Sequence, residues 1–141
     1  MKGEIALKFK VNVMKKIEFF KSRENTFRKV SEFAPPAFLE KLSESDRETE
    51  VKTHFSGENG CLALMELQEI PNAEAVLHYH DKEEIFFVLD GEMHFGNRIF
   101  RAGDSIRIDA GVQYKFRTGP NGLRYLKFTA TADHSVNVVP T

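Results

Sequence analysis

Tryptophan is absent from the 141 residues and cysteine occurs once, at Cys61. A single thiol closes no intrachain disulfide, so a small secreted scaffold stapled by disulfides is excluded and a reducing cytoplasm is the expected compartment. Nowhere do the roughly 18 apolar residues that a membrane helix needs run together, so no membrane partner is expected. Met1-Lys2-Gly3-Glu4 opens into alternating hydrophobicity, unlike a secretory leader. A surplus of one charge is lacking too: 20 Lys and Arg face 21 Asp and Glu, for a net charge of -1. The balance is uneven along the chain, because residues 1–30 hold 9 basic and 3 acidic side chains whereas residues 31–100 hold 5 and 15. The basic residues are interleaved with Phe, Ile and Val rather than bunched, so they read as a solvated face and no nucleic-acid partner is expected. What the chain does have is 13 Phe and a 41% hydrophobic content. That is enough apolar material for one domain with its own core.

Ile5, Leu7, Phe9, Val11 and Val13 occupy every second place, which predicts a strand arm over residues 4–13. Its open edge suits pairing with another subunit, so a homodimer is expected. Pro35-Pro36 breaks regular structure, and a short helix is expected near 36–43 with Phe38, Leu39 and Leu42 facing inward. Residues 43–50 are polar and read as a solvated connection. Beyond them, turn residues recur at Gly57–Gly60, Pro71-Asn72, Asp90-Gly91, Gly96-Asn97, Gly103-Asp104, Ala110-Gly111 and Gly119–Gly122. They separate about seven short runs rich in β-branched and aromatic residues, without a helical pattern long enough for βαβ units. The expected fold is therefore all-β, a sandwich or barrel over residues 51–141, preceded by a strand and short-helix extension over residues 1–50.

The stretch His78-Tyr79-His80-Asp81-Lys82-Glu83-Glu84 concentrates the chemistry. Side chains two apart on a strand share a face, so His78 and His80 present two imidazoles together, and Glu84 returns to that face across a short bend. Two His and one carboxylate make a metal triad with open coordination positions. The competing reading is a pair of surface His beside an acidic loop. Glu83 differs from Glu84 in parity, and alternation turns it away.

In its spacing this stretch resembles the first signature of the cupin superfamily: H-x-H, three residues, Glu, six residues, Gly, matched by His78, His80, Glu84 and Gly91. Asn72 stands where that signature begins with Gly. The second signature is echoed by Gly103 and Gly111, with Asp109 in place of its Pro and Tyr114 in place of its His. The resemblance covers roughly residues 60–130 and implies a cupin-type jelly-roll β-barrel with one divalent metal inside and a small organic ligand or substrate at its mouth. It further implies His78, His80 and Glu84 as metal ligands. For Tyr114 it leaves three roles open: a phenolate ligand, an acid, base or hydrogen-bond donor to substrate, or core filling. Two imidazoles and a carboxylate accept iron, manganese, nickel, zinc or copper; the three-ligand set points first to iron.

The expected function is thus a metal-dependent enzyme, a dioxygenase first and an isomerase or lyase next. The alternative is a non-catalytic binding or sensing cupin with structural metal or none. His94 shares the ligands' parity and is a further candidate, whereas His54 and His134 are expected on the surface. Phe86, Phe87, Phe95, Phe100, Phe116 and Phe128 are expected as core. Arg107 and Arg117 are expected to face solvent, and Cys61 has no neighbouring base to activate it.

Overall fold

A computed structural model of the chain describes residues 15–140. The strand arm expected over residues 4–13 lies outside them. The strands are β1 (Arg28–Lys29), β2 (Glu50–Ser56), β3 (Ala63–Glu69), β4 (His78–Tyr79), β5 (Glu84–Phe95), β6 (Arg98–Phe100), β7 (Ser105–Ile108), β8 (Arg117–Thr129) and β9 (Asn137–Val138). Among the described residues one antiparallel sheet runs β1-β2-β3-β8-β5-β6, with β7 also on β5, and β4 pairs β9 in a second, smaller sheet. Isolated antiparallel bridges pair His78 of β4 with Tyr114 and Glu74 with Arg117 of β8. The result is the expected all-β jelly roll. No helix among the described residues is long and apolar enough to cross a membrane.

Period-two burial builds the interior. Along β5, Glu84, Phe86 and Val88 are buried while Ile85 and Phe87 point out. Phe86 and Val88, with Met93, Ile108, Tyr114, Phe116, Leu123 and Tyr125, form the core, each large side chain contributing roughly 1.5 to 3 kcal/mol of burial free energy. The aromatic rings pack edge-on, Phe86 against Phe116 and Tyr125 at 6.1 and 5.2 Å between centroids. Two of the Phe expected as core are not: Phe87 and Phe128 face outward, more than a third exposed, because their parity is opposite to that of Phe86 and Tyr125.

Two expected turns are bulges instead. Asp90-Gly91 lies inside continuous β5, and residues 119–122 lie inside continuous β8. The register between these strands slips twice, between Val88 and Asp90 and between Gly91 and Met93. Here two bulged segments are pressed together: Gly91 has φ +80°, and a Cβ there would sit 2.1 Å from the Gly122 carbonyl oxygen. Glycine chemistry marks both a turn and a bulge, so local sequence did not separate them.

The connection expected to be solvated over residues 43–50 is likewise corrected. The helix near 36–43 is a single turn, Pro36–Leu39, and a second turn, Glu44–Arg47, follows under a capping box between Ser43 and Asp46. Ser43 Oγ and Ser45 Oγ donate to the Glu74 carbonyl, and Asp46 accepts from Val76 N–H at 3.1 Å. These bonds hold the turn against the barrel, so Thr49 is buried and Glu50 opens β2.

Candidate functional site

His78 and His80 reach the interior from β4 and its end. His78 exchanges two backbone hydrogen bonds with Tyr114, at 3.1 and 2.9 Å, and the His80 carbonyl accepts from Gly111 N–H at 2.8 Å. Glu84 opens β5 between Ile108 of β7 and Thr129 of β8. All four residues named from the sequence therefore meet: the His78 and His80 rings lie 5.1 Å apart and nearly perpendicular, His78 and Tyr114 lie 4.5 Å apart, and His80 Nε2 is 3.8 Å from Glu84 Oε1. Asn72, standing where the first signature has Gly, takes the left-handed φ of +55°. Glu83 is exposed beside Arg107.

Each imidazole is oriented through Nδ1. His78 Nδ1 lies 2.8 Å from the Val76 carbonyl and His80 Nδ1 lies 2.6 Å from the Ser135 carbonyl. A carbonyl only accepts, so in both rings Nδ1 carries the hydrogen and the neutral ring's lone pair falls on Nε2. Burial, with the Lys127 ammonium nearby, holds the His80 pKa below the usual imidazole value and keeps that lone pair free at neutral pH.

Glu84 is buried, with Tyr114 Oη donating to Oε1. Burial first, then the Glu84 charge, pushes the Tyr114 phenol far above its ordinary pKa, so it remains a donor. Oε2 has no hydrogen bond among the described residues and faces the Lys127 ammonium at 3.5 Å.

A buried carboxylate oxygen without a hydrogen bond, and two imidazoles whose Nδ1 atoms are committed to carbonyls, are the donor chemistry a divalent metal takes. The donors are not drawn together: among the described residues no three His, Cys, Asp or Glu side chains are gathered closely enough to hold an ion. Tyr114 and Lys127 engage Glu84 instead. His94 is not part of the group, since its Nε2 pairs with Glu92 Oε1 at 2.9 Å.

His78, His80, Tyr114 and Lys127 line a cavity of about 160 Å³. Its walls are largely apolar, from Phe38, Leu42, Leu67, Val76, Phe86 and Phe116. Glu69 and Tyr125 also line it, with Tyr125 Oη donating to Glu69 Oε2 at 2.9 Å. Burial first, then the nearby Asp46 charge, pushes Glu69 up to about 7, against the opposing hydrogen bonds of Tyr125 and Thr49.

Glu69, Tyr125 and Lys127 were not singled out in the sequence. Their signal was a carboxylate, a phenol and an ammonium at the inward parity of β3 and β8, obscured because both strands also carry charged residues at the outward parity, Glu66 on β3 and Arg124 on β8. His54 corrects an expectation: its side chain is only 14% exposed and bonds Glu66 Oε1 at 2.9 Å, whereas His134 is 82% exposed as expected. Phe20 covers the His54 ring at 4.2 Å.

The profile of the cupin domain family matches residues 65–126. Among solved structures, the polyketide cyclase RemF from Streptomyces resistomycificus is similar at 19% identity and a TM-score of 0.66, over 89% of this chain and 87% of that one. An acetylacetone dioxygenase from Acinetobacter johnsonii is similar at 12% identity and a TM-score of 0.68, over 92% and 82%. KdgF from Halomonas sp. is similar at 15% and 0.59, over 82% and 94%. Identities this low speak for the fold. No curated protein matches the sequence.

Proposed function

Since the chain belongs to the cupin superfamily, we propose that it is a metal-dependent enzyme acting on a small organic molecule, a dioxygenase before an isomerase or lyase. The observation that carries this reading is the buried Glu84 Oε2 without a hydrogen bond, beside two imidazoles whose Nδ1 atoms are already committed to carbonyls. His78, His80 and Glu84 are the residues that would hold the ion. One divalent metal, iron first, would supply Lewis acidity and open positions for substrate oxygens.

The chain's own side chains do the rest. The Val76 and Ser135 carbonyls fix the imidazole tautomers, as outer partners of ligating His commonly do. Tyr114 keeps its proton on the phenol oxygen and holds Glu84 through it. Phe86 and Phe116 give the cavity an apolar wall, which lowers the local dielectric and strengthens the polar interactions beside it. Acetylacetone dioxygenase and polyketide cyclase among the similar structures accord with a small organic substrate.

A second reading, a non-catalytic small-molecule binding cupin, is favoured by Lys127: its ammonium already faces the Glu84 oxygen that the metal would use. Metal analysis of protein purified without chelator separates the two. The enzyme reading expects near-stoichiometric metal that falls away in His78→Ala; metal-poor protein unchanged by that substitution sinks it. With metal bound, oxygen uptake on catechols, thiols and keto acids distinguishes a dioxygenase. The homodimer expected from the sequence belongs to the same proposal, and light scattering of the full chain against one lacking residues 1–13 tests it.

A further inference from the structure

The cavity holds a second carboxyl group that the metal reading does not use. Glu69 ends β3 at the inward parity of Leu67 and is buried, yet it lines the same cavity as His78 and His80. Its direct partner is a hydroxyl, Tyr125 Oη, and Tyr125 is itself buried and keeps its proton, with burial the first cause and the Glu69 charge the next. The titratable and charged groups around it are Tyr125 and Lys127 on β8, Asp46 on the last helical turn, His78, His80 and Tyr114 across the cavity with Glu84 behind them, and Glu50, Asp90 and Arg124 around a second hollow that Glu69 also borders.

We propose that Glu69 exchanges a proton with the molecule bound in this cavity, and that this molecule is a small, largely apolar compound with one weakly acidic O–H or C–H, such as a phenol, an enol or a β-dicarbonyl. The proposal rests on the cavity being the ligand site described above, but not on a metal being present.

The geometry supplies the reasons. A carboxyl group among Leu67, Phe86 and Phe116 is far from the water that would solvate its charge, and Tyr125 supplies a hydrogen bond without a counter-charge. Structural needs alone would be met by Gln, which accepts the same bond from Tyr125 and never ionises. An ionisable group retained at such a wall suits proton transfer at neutral pH, and its pKa of about 7 places it at the right point. In the forward step the ligand's O–H or C–H bond breaks, its electron pair stays on the ligand, and the proton forms an O–H bond on Glu69. The reverse step returns it. Tyr125 holds the carboxylate throughout and is the positioning residue.

The test is calorimetric titration of 4-methylphenol into the full-length protein from pH 5 to 9, a range below the ordinary phenol pKa of about 10, so that the ligand itself does not ionise. Wild type should bind it with an affinity that bends near pH 7. Glu69→Gln should bind about tenfold more weakly at pH 7 and lose the bend, as expected when a charge-assisted hydrogen bond is removed. Tyr125→Phe, which keeps the core ring, should move the bend to higher pH, because the carboxylate loses its donor. Absence of binding by wild type, or an unchanged affinity and pH profile in Glu69→Gln, overturns the proposal. An unmoved bend in Tyr125→Phe overturns the positioning role. Metal content is measured on the same samples: metal-free wild type with the full pH bend would fail the metalloenzyme reading and uphold this one.

Discussion

Glu66 and Glu69 stand three residues apart on β3, both buried, 4% and 7% exposed, and their odd spacing sends them to opposite faces. On the outer face Glu66 is covered by the segment before β1. Burial pushes its pKa up, but hydrogen bonds from Ser22 at 2.7 Å and His54 at 2.9 Å, with the Lys52 and Arg124 cations, bring it below the usual carboxylate value. On the inner face Glu69 meets hydroxyls and a second acid, and burial prevails. The same side chain at similar surface exposure thus yields opposite protonation behaviour. Glu69 lies far deeper in the protein with no cation bonded to it, whereas Glu66 sits nearer the surface with donors and cations beside it, and both differences act in the same direction. The outer carboxylate fastens the N-terminal segment to the sheet; the inner one is left free to act on a ligand.

The largest effect should come from removing the outer anion. Glu66→Leu strands Lys52 and His54 under the N-terminal segment and should lower stability by about 3 to 4 kcal/mol in urea denaturation at pH 7. A loss under about 1 kcal/mol would mean that the outer cluster is solvated and the contrast is false.

Next is the pH dependence of the inner carboxyl. Its folded pKa near 7 exceeds the ordinary 4.5, so the stability it contributes is complete below 4.5 and is lost as pH rises through 7. Through this group wild type should lose about 2 to 3 kcal/mol between pH 5 and 8, and Glu69→Gln should lack that slope. Parallel pH profiles of the two proteins would place Glu69 in solvent.

The second inner-face carboxylate, Glu84, sharpens the point because Lys127 gives it what Glu69 lacks. Lys127→Met should destabilise metal-free protein by about 1 to 2 kcal/mol, the loss being limited by the remaining Tyr114 bond. Added Mn²⁺ should restore the melting temperature by replacing the missing charge. If metal leaves the variant's melting temperature unmoved, His78, His80 and Glu84 are not its ligands. The smallest effect is expected from Phe20→Ala, which uncovers the His54 ring and should cost about 1 kcal/mol in the same denaturation assay.

Much of the site was legible because its residues are close in sequence. His78, His80 and Glu84 lie within seven residues, and strand parity sufficed to turn Glu84 inward and Glu83 out. The jelly roll was legible from turn spacing, although the Asp90-Gly91 and Gly119–Gly122 turns are bulges in β5 and β8. A positive φ serves either geometry, and only the partner strand distinguishes them. His54 was read as a surface residue because nothing within β2 covers it. Phe20 and Glu66, which do, come from other segments. The polar run 43–50 was read as solvated because a capping box resembles any Ser- and Asp-rich loop until its helix is docked.

By itself the sequence determined the all-β class, the two imidazoles on one face and the carboxylate that joins them, since each follows from period two over a few residues. It also determined that no disulfide assists the fold, because Cys61 stands alone. The tertiary structure alone decided which charges share the interior. Tyr114 reaches Glu84 across 30 residues, Ser135 reaches His80 across 55 and Tyr125 reaches Glu69 across 56. The physical reason is that a side chain's protonation depends on its nearest charges and donors, and here those come from strands and loops distant in sequence.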